Sequence, residues 1–206
     1  ERDFVMKCLR WLLVTVSLIA FAHYKLGLFS GSHIVRPSPS IDPFECRFAS
    51  PVKNVLPFEM RLPESECRLI EYFGSNVITI YVEYPAMKVV APQQRARDTA
   101  KDQLVIFWIV RLSSSVHHDK NATIFSGRTP VSVFDGIENY GGVDGFIRFV
   151  GCDGRSVYAT NVLDATSVRR LLDHRFNVIY NYSNSFMDVK KMDRFALGFL
   201  GKLTIK

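Results

Sequence analysis

Along much of this chain apolar and polar positions alternate with the two-residue period of a half-buried strand. Asn76–Glu83 (NVITIYVE) and Asn177–Tyr182 (NVIYNY) show it best, in β-branched and aromatic residues. Leu104–Leu112 (LVIFWIVRL) is nearly unbroken in apolar character and too short for a bilayer helix, so it predicts a central strand buried on both faces. Val131–Phe134 predicts a short strand. Phe146–Val150 and Ser156–Val162 flank Cys152-Asp153-Gly154, and Asp-Gly between two such runs signals a hairpin. Gly136–Gly145 (GIENYGGVDG) predicts a glycine-rich loop.

Helical patterns fall between the strands. Ser65–Phe73 predicts a short helix with Ser65 as N-cap and Gly74 past its end. Pro92–Asp102 is polar throughout and predicts a solvent-facing helix. Asp164 is placed to cap a helix reaching His174, with Val168, Leu171 and Leu172 on one side. In Ser185–Leu200 a Ser185-x-x-Asp188 capping box precedes Val189, Met192, Phe195, Ala196 and Phe199 at helical spacing. Such a stripe packs on its own domain or, given Lys190, Lys191 and Arg194 on other faces, lies against a membrane or partner. Together these elements predict an α+β domain over residues 64–206, with a mixed or antiparallel sheet of four to six strands and two to four helices.

The N-terminal region departs from this pattern. Trp11–Ala22 (WLLVTVSLIAFA) carries no charge, and apolar residues on both flanks extend it to 8–29, about the 20 residues that span a bilayer. The expectation is a transmembrane helix after a short tail (1–7), with Arg10, His23 and Lys25 snorkelling to the interfaces. A signal peptide cleaved after Ala20-Phe21-Ala22 and a buried core helix are the alternatives. Arg2, Lys7 and Arg10 before the run, against Lys25 and Arg36 after it, place the N-terminus on the cytosolic or matrix side.

Between anchor and domain, six of the nine prolines fall in residues 30–63. Proline fixes φ and removes a donor, so this stretch predicts an extended arm. Phe44, Phe48, Val55, Leu56 and Phe58 make it too apolar for a free linker and suit a wrap around neighbouring subunits.

The net charge is +6, but the only adjacent basic pairs are Arg169-Arg170 and Lys190-Lys191, which is no nucleic-acid stripe. Of four cysteines, Cys8 sits in the expected anchor. The other three are buried thiols, as an odd count suggests, or include one disulfide, of which Cys46–Cys67 would staple the proline-rich segment. Asn121-Ala122-Thr123 is a glycosylation sequon if the compartment is secretory; Asn181-Tyr182-Ser183 follows a strand-like run and reads as structural.

Chemistry is sparse. His117-His118-Asp119 lacks helical ligand spacing and reads as a surface loop; Asp135, Glu138 and Asp144 lack the oxygen pattern of a calcium loop. Phosphate-cradling glycine motifs and a G-x-S-x-G elbow are absent, and Asp153 beside Cys152 disfavours a thiolate. No catalytic, cofactor or metal residue is therefore assigned.

The expectation is a non-catalytic, single-pass accessory subunit of a multi-subunit membrane complex, with other membrane subunits and the bilayer as partners and no nucleic acid. Sixteen arginines against ten lysines and a chain starting at Glu1, as after loss of a presequence, point to the mitochondrial inner membrane. The alternative is a type II protein of the endoplasmic reticulum or plasma membrane whose ectodomain binds a partner or ligand.

Overall fold

The structure is a computed structural model, and it describes residues 45–50, 56–92, 103–112, 125–142, 145–173, 175–186 and 188–203. All of these belong to one compact unit, residues 35–206; a second unit covers 1–34. The expected transmembrane helix (8–29), the polar helix after Pro92, the His117-His118-Asp119 loop, Asn121 and Asp144 lie outside the described residues. Among the described residues no helix is long and apolar enough to cross a membrane.

The domain is mostly antiparallel β-sheet with few helices. Twelve strands are described: β1 (Glu45–Phe48), β2 (Phe58–Arg61), β3 (Glu71–Tyr72), β4 (Val77–Glu83), β5 (Lys88–Val89), β6 (Leu104–Arg111), β7 (Ser132–Phe134), β8 (Ile137–Asn139), β9 (Ile147–Val150), β10 (Ser156–Val162), β11 (Ala165–Leu172) and β12 (Phe176–Ser183). A one-turn helix, α1 (Glu64–Cys67), and a longer one, α2 (Val189–Leu203), complete them. β1 pairs only with β2. The others form a ten-stranded sheet in the order β3-β4-β6-β12-β11-β10-β9-β8-β7, with β5 on β4, and every pairing is antiparallel.

Period-two alternation puts one residue in two on the inner face. The register aligns Ile80, Phe107, Tyr180, Val168, Ala159 and Ile147 in one row across the sheet. Ile78, Ile109, Val178, Arg170, Val157 and Phe149 form the next. α2 buries Met192, Phe195, Ala196, Phe199, Leu200 and Leu203 in this core, with the Phe199 ring 5.1 Å from Phe107. Each such side chain contributes about 1.5–3 kcal/mol on burial. Its apolar stripe is thus spent on its own domain.

Several sequence expectations are corrected. The segment 165–172 is strand β11, not a helix begun by Asp164. Leu163 (φ 55) makes a tight β10–β11 turn instead, and Thr166 and Val168 suit a pleated, half-buried surface. The helix expected over Ser65–Phe73 stops after one turn at Cys67; Pro63, with no side-chain cap, precedes it, and Glu71 and Tyr72 pair with β4. The glycine-rich loop contains β8. Ser185 does not cap α2: Asp188 does, accepting the Lys191 backbone N–H at 2.8 Å. The sheet has ten strands rather than four to six, because short strands hide in segments read as loop or helix.

The described part of the proline-rich segment is also not a free-standing arm. Strands β1 and β2 bury Cys46, Phe48, Phe58 and Met60 in the main core, so the domain begins before residue 64. Phe58 packs on Tyr72 and Phe176, and the Arg111 guanidinium lies 4.9 Å from the Phe58 and Phe176 rings. The structure joins Cys46 to Cys67 by a disulfide, tying β1 to α1 across a separation of 21 residues.

Candidate functional site

Two features of the inner face are polar where apolar side chains would be expected. The first is Arg170. Its place in β11 sets it between Val157 and Val178 on the neighbouring strands, where it is wholly buried, while Arg169 beside it points outward. Burying a lone guanidinium would be prohibitive. Arg170 instead donates through Nη1 to Asp193 of α2 and through Nη2 to Asp153 of the β9–β10 hairpin. The Tyr180 hydroxyl donates to the same Asp193 Oδ1 at 3.0 Å.

The arrangement needs close approach by backbone. A Cβ on Gly151 would stand 2.8 Å from Asp193 Oδ2 and 3.0 Å from Asp153 Oδ1, so any larger residue there would have to displace the two carboxylates. Burial alone would push the Arg170 pKa down, but the bonds and charges of Asp193 and Asp153 outweigh it and hold the guanidinium charged. Tyr180 is driven well above its usual value, by burial first and then by the Asp193 charge. Arg155 Nε, 3.8 Å from Asp153 Oδ2, brings a second positive charge to the two carboxylates, and the cluster ties the hairpin, β11 and α2 together.

The second feature is a cleft of about 280 Å³ at the opposite end of the same strands, between β9, β10, β11 and the start of α2. Its lining mixes apolar side chains (Ile147, Ala159, Phe186, Val189) with polar ones (Thr160, Asn161, Thr166, Asn184). Thr166 Oγ1 lies 2.8 Å from Asn184 Oδ1 and 3.2 Å from Asn161 Oδ1, and Asn184 Nδ2 donates to the Leu163 carbonyl at 2.9 Å. Gly145 (φ 55) closes the rim where a Cβ would press on Asn161 Nδ2 at 3.1 Å.

The two described acidic residues at the glycine-rich segment, Asp135 and Glu138, are each held by a different partner. Asp135 accepts from Lys190 of α2 at 2.9 Å. Glu138 accepts from Tyr140 at 2.6 Å and from Arg148 Nε at 2.7 Å, contacts that hold its carboxyl below the usual range. Among the described residues no three His, Cys, Asp or Glu side chains are grouped to hold a metal ion. Cys152 is an exposed free thiol in the β9–β10 hairpin. Asn181 lies within β12, flanked by β6 and β11.

Large apolar side chains are nevertheless left in solvent. Val131, Val133 and Phe134 are 62–83% exposed at β7, the last strand of the sheet, and Leu163 in the β10–β11 turn is 93% exposed. The Arg170 cluster and the cleft both escaped sequence analysis. The available signal was the alternation Thr166, Val168, Arg170, Leu172, which puts a charge on a buried face once the segment is taken as a strand.

No family model matches the chain, and no curated protein matches it in sequence. Among solved structures it is similar to Smlt3025, an immunity protein of the Stenotrophomonas maltophilia type IV secretion system. The two share 13% identity over 78% of this chain and 95% of that one, with a TM-score of 0.49. A likeness this slight carries neither fold nor function across.

Proposed function

We propose that the chain is a non-catalytic, single-pass accessory subunit of a membrane complex, anchored through residues 8–29 and binding a protein partner through its β-sheet domain. The observation that carries this reading is the end strand β7. An end strand presents unpaired backbone groups, and soluble proteins blunt such edges with charge or proline. Here Val131, Val133 and Phe134 are exposed instead, which suits a surface covered in an assembly. The pairing of Arg170 and Arg155 with Asp153 and Asp193 supports a scaffold rather than a catalyst. The inner mitochondrial membrane is the expected location.

The Cys46–Cys67 disulfide favours a second reading for the compartment, because such bonds persist in oxidising surroundings. It supports a type II protein of the endoplasmic reticulum or cell surface, with the domain on the exoplasmic side. Gentle detergent extraction, native separation and mass spectrometry of what co-migrates test the subunit reading; a free monomer overturns it. A mobility shift on glycosidase treatment, lost in Asn121→Gln, decides for the secretory compartment.

A further inference from the structure

Leu163 goes against two preferences of the fold at once. It occupies the first position of the two-residue turn between Val162 and Ala165, with a φ of 55. An L-residue enters that left-handed region only against the crowding of its own Cβ, so glycine, asparagine or aspartate is the usual occupant. Its side chain is also 93% exposed, where a polar group is the usual choice. Met87 shows how such strain is ordinarily balanced. It too has a φ of 55, but its side chain packs against the main core beside Gly198 of α2. Leu163 gains nothing comparable. Backbone strain kept where the side chain gives the fold almost nothing points to a use outside the fold.

The turn is braced as well. Asn184 donates through Nδ2 to the Leu163 carbonyl at 2.9 Å and through its backbone N–H to the Asp164 carbonyl at 3.1 Å. Its Oδ1 lies 2.8 Å from the Oγ1 of buried Thr166. A side chain on a fixed backbone loses little freedom on docking, which suits entry into a preformed pocket. The neighbouring charge separates the receivers. Asp164 is exposed beside Leu163. A carboxylate is strongly disfavoured in hydrocarbon and against anionic headgroups, whereas a protein pocket with a cation at its rim takes both residues together.

We propose that Leu163 is an anchor residue that enters an apolar pocket of a protein partner, with Asp164 facing a lysine or arginine at the pocket's rim. Val162, 50% exposed on the same turn, widens the contact. The proposal rests on the partner-binding reading above and names the point of grip.

Two measurements on the full chain test it. Leu163→Gly relieves the backbone strain, so its thermal midpoint in detergent is expected to be no lower than that of wild type. A lower midpoint means that the side chain serves the fold, and it overturns the proposal. For the contact itself, Leu163 is replaced by a diazirine photo-crosslinking residue and the chain is irradiated in its membranes. The expected adduct is to one protein, at an apolar segment with lysine or arginine close to the point of attachment. Leu163→Gly and Asp164→Lys are each expected to lower the co-migrating fraction of that protein about tenfold, the effect of losing one anchor contact. Adducts to lipid or to a second copy of this chain overturn the proposal, as does a co-migrating fraction unchanged in both variants. A chain that keeps a co-migrating partner but gives no adduct from position 163 sinks this assignment and leaves the subunit reading standing. A chain that runs as a free monomer fails both.

Discussion

Arg170 of β11 and Asp193 of α2 form an ion pair in which neither side chain is more than 1% exposed. Asp153 and Tyr180 complete its surroundings, yet Arg170 Nε and Asp193 Oδ2 find no hydrogen-bond partner among the described residues. The pair is therefore costly to break and replaceable as a whole. Asp193→Ala is expected to destabilise the domain by about 3–5 kcal/mol, because it strands a buried guanidinium. Joint replacement, Arg170→Met with Asp193→Leu, is expected to recover most of the loss. Urea denaturation of the three chains checks both; an Asp193→Ala chain as stable as wild type would contradict the first.

Acid stability should report on Asp153. Burial works against its ionisation, but the Arg170 bond, the Arg155 backbone N–H and the two guanidinium charges bring its pKa below the usual value. A folded pKa below the unfolded one adds stability that is present above about pH 4 and lost as pH falls through the folded value. Urea midpoints are expected to drop as the pH falls below about 4, toward the lower folded pKa of Asp153. In Asp153→Asn that drop should be shallower.

The alkaline limb is set differently. Tyr180 has its pKa raised by burial and by the Asp193 charge, so the folded chain keeps a proton that the unfolded chain releases. Its contribution is complete below about pH 10 and declines as pH rises past that point. Thermal midpoints followed upward from pH 9 are expected to fall more gently in Tyr180→Phe than in wild type.

Reduction removes a cross-link closing a loop with a separation of 21 residues. The expected loss is about 2–4 kcal/mol, chiefly through the freedom restored to the unfolded chain. Cys46→Ala/Cys67→Ala should match wild type under reductant and fall below it without, which paired denaturation curves will show.

Phe134→Ser and Leu163→Ser remove apolar surface that touches solvent. Each is expected to change stability by no more than about 0.5 kcal/mol while reducing what co-migrates with the chain on native separation. Undiminished co-migration in both variants would place the interface elsewhere.

How legible these features were depended on whether the pattern of residues was local. Strands β4, β10 and β12 follow patterns visible within eight residues, β6 an almost unbroken apolar run, and the α2 stripe its 3.6-residue period. β11 was misassigned because Val168, Leu171 and Leu172 also fit a helical face, and only its pairing with β10 and β12 settles the matter. β1 and β2 were masked by the surrounding prolines, although each prolyl position of that ribbon lies outside the paired residues. The Arg170 cluster draws on positions 153, 170, 180 and 193, and the cleft on residues from 145 to 189; neither is a spacing that a linear motif can carry.

The strand order also bears on how the chain is synthesised. β3, β4 and β6 leave the ribosome in the order in which they pair, but the far neighbour of β6 is β12, whose first residue is number 176. Between them the chain lays down β7 to β12 from the far end of the sheet inward, so the two meanders meet along one late seam. Until then one side of Leu104–Arg111, the most apolar strand in the domain, stays unpaired, and α2 emerges later still. Such an edge is a template for pairing with other chains while translation continues. Nascent chains truncated before residue 176 should therefore depend on chaperones, and release from them should come only once β12 and α2 are free to close the seam.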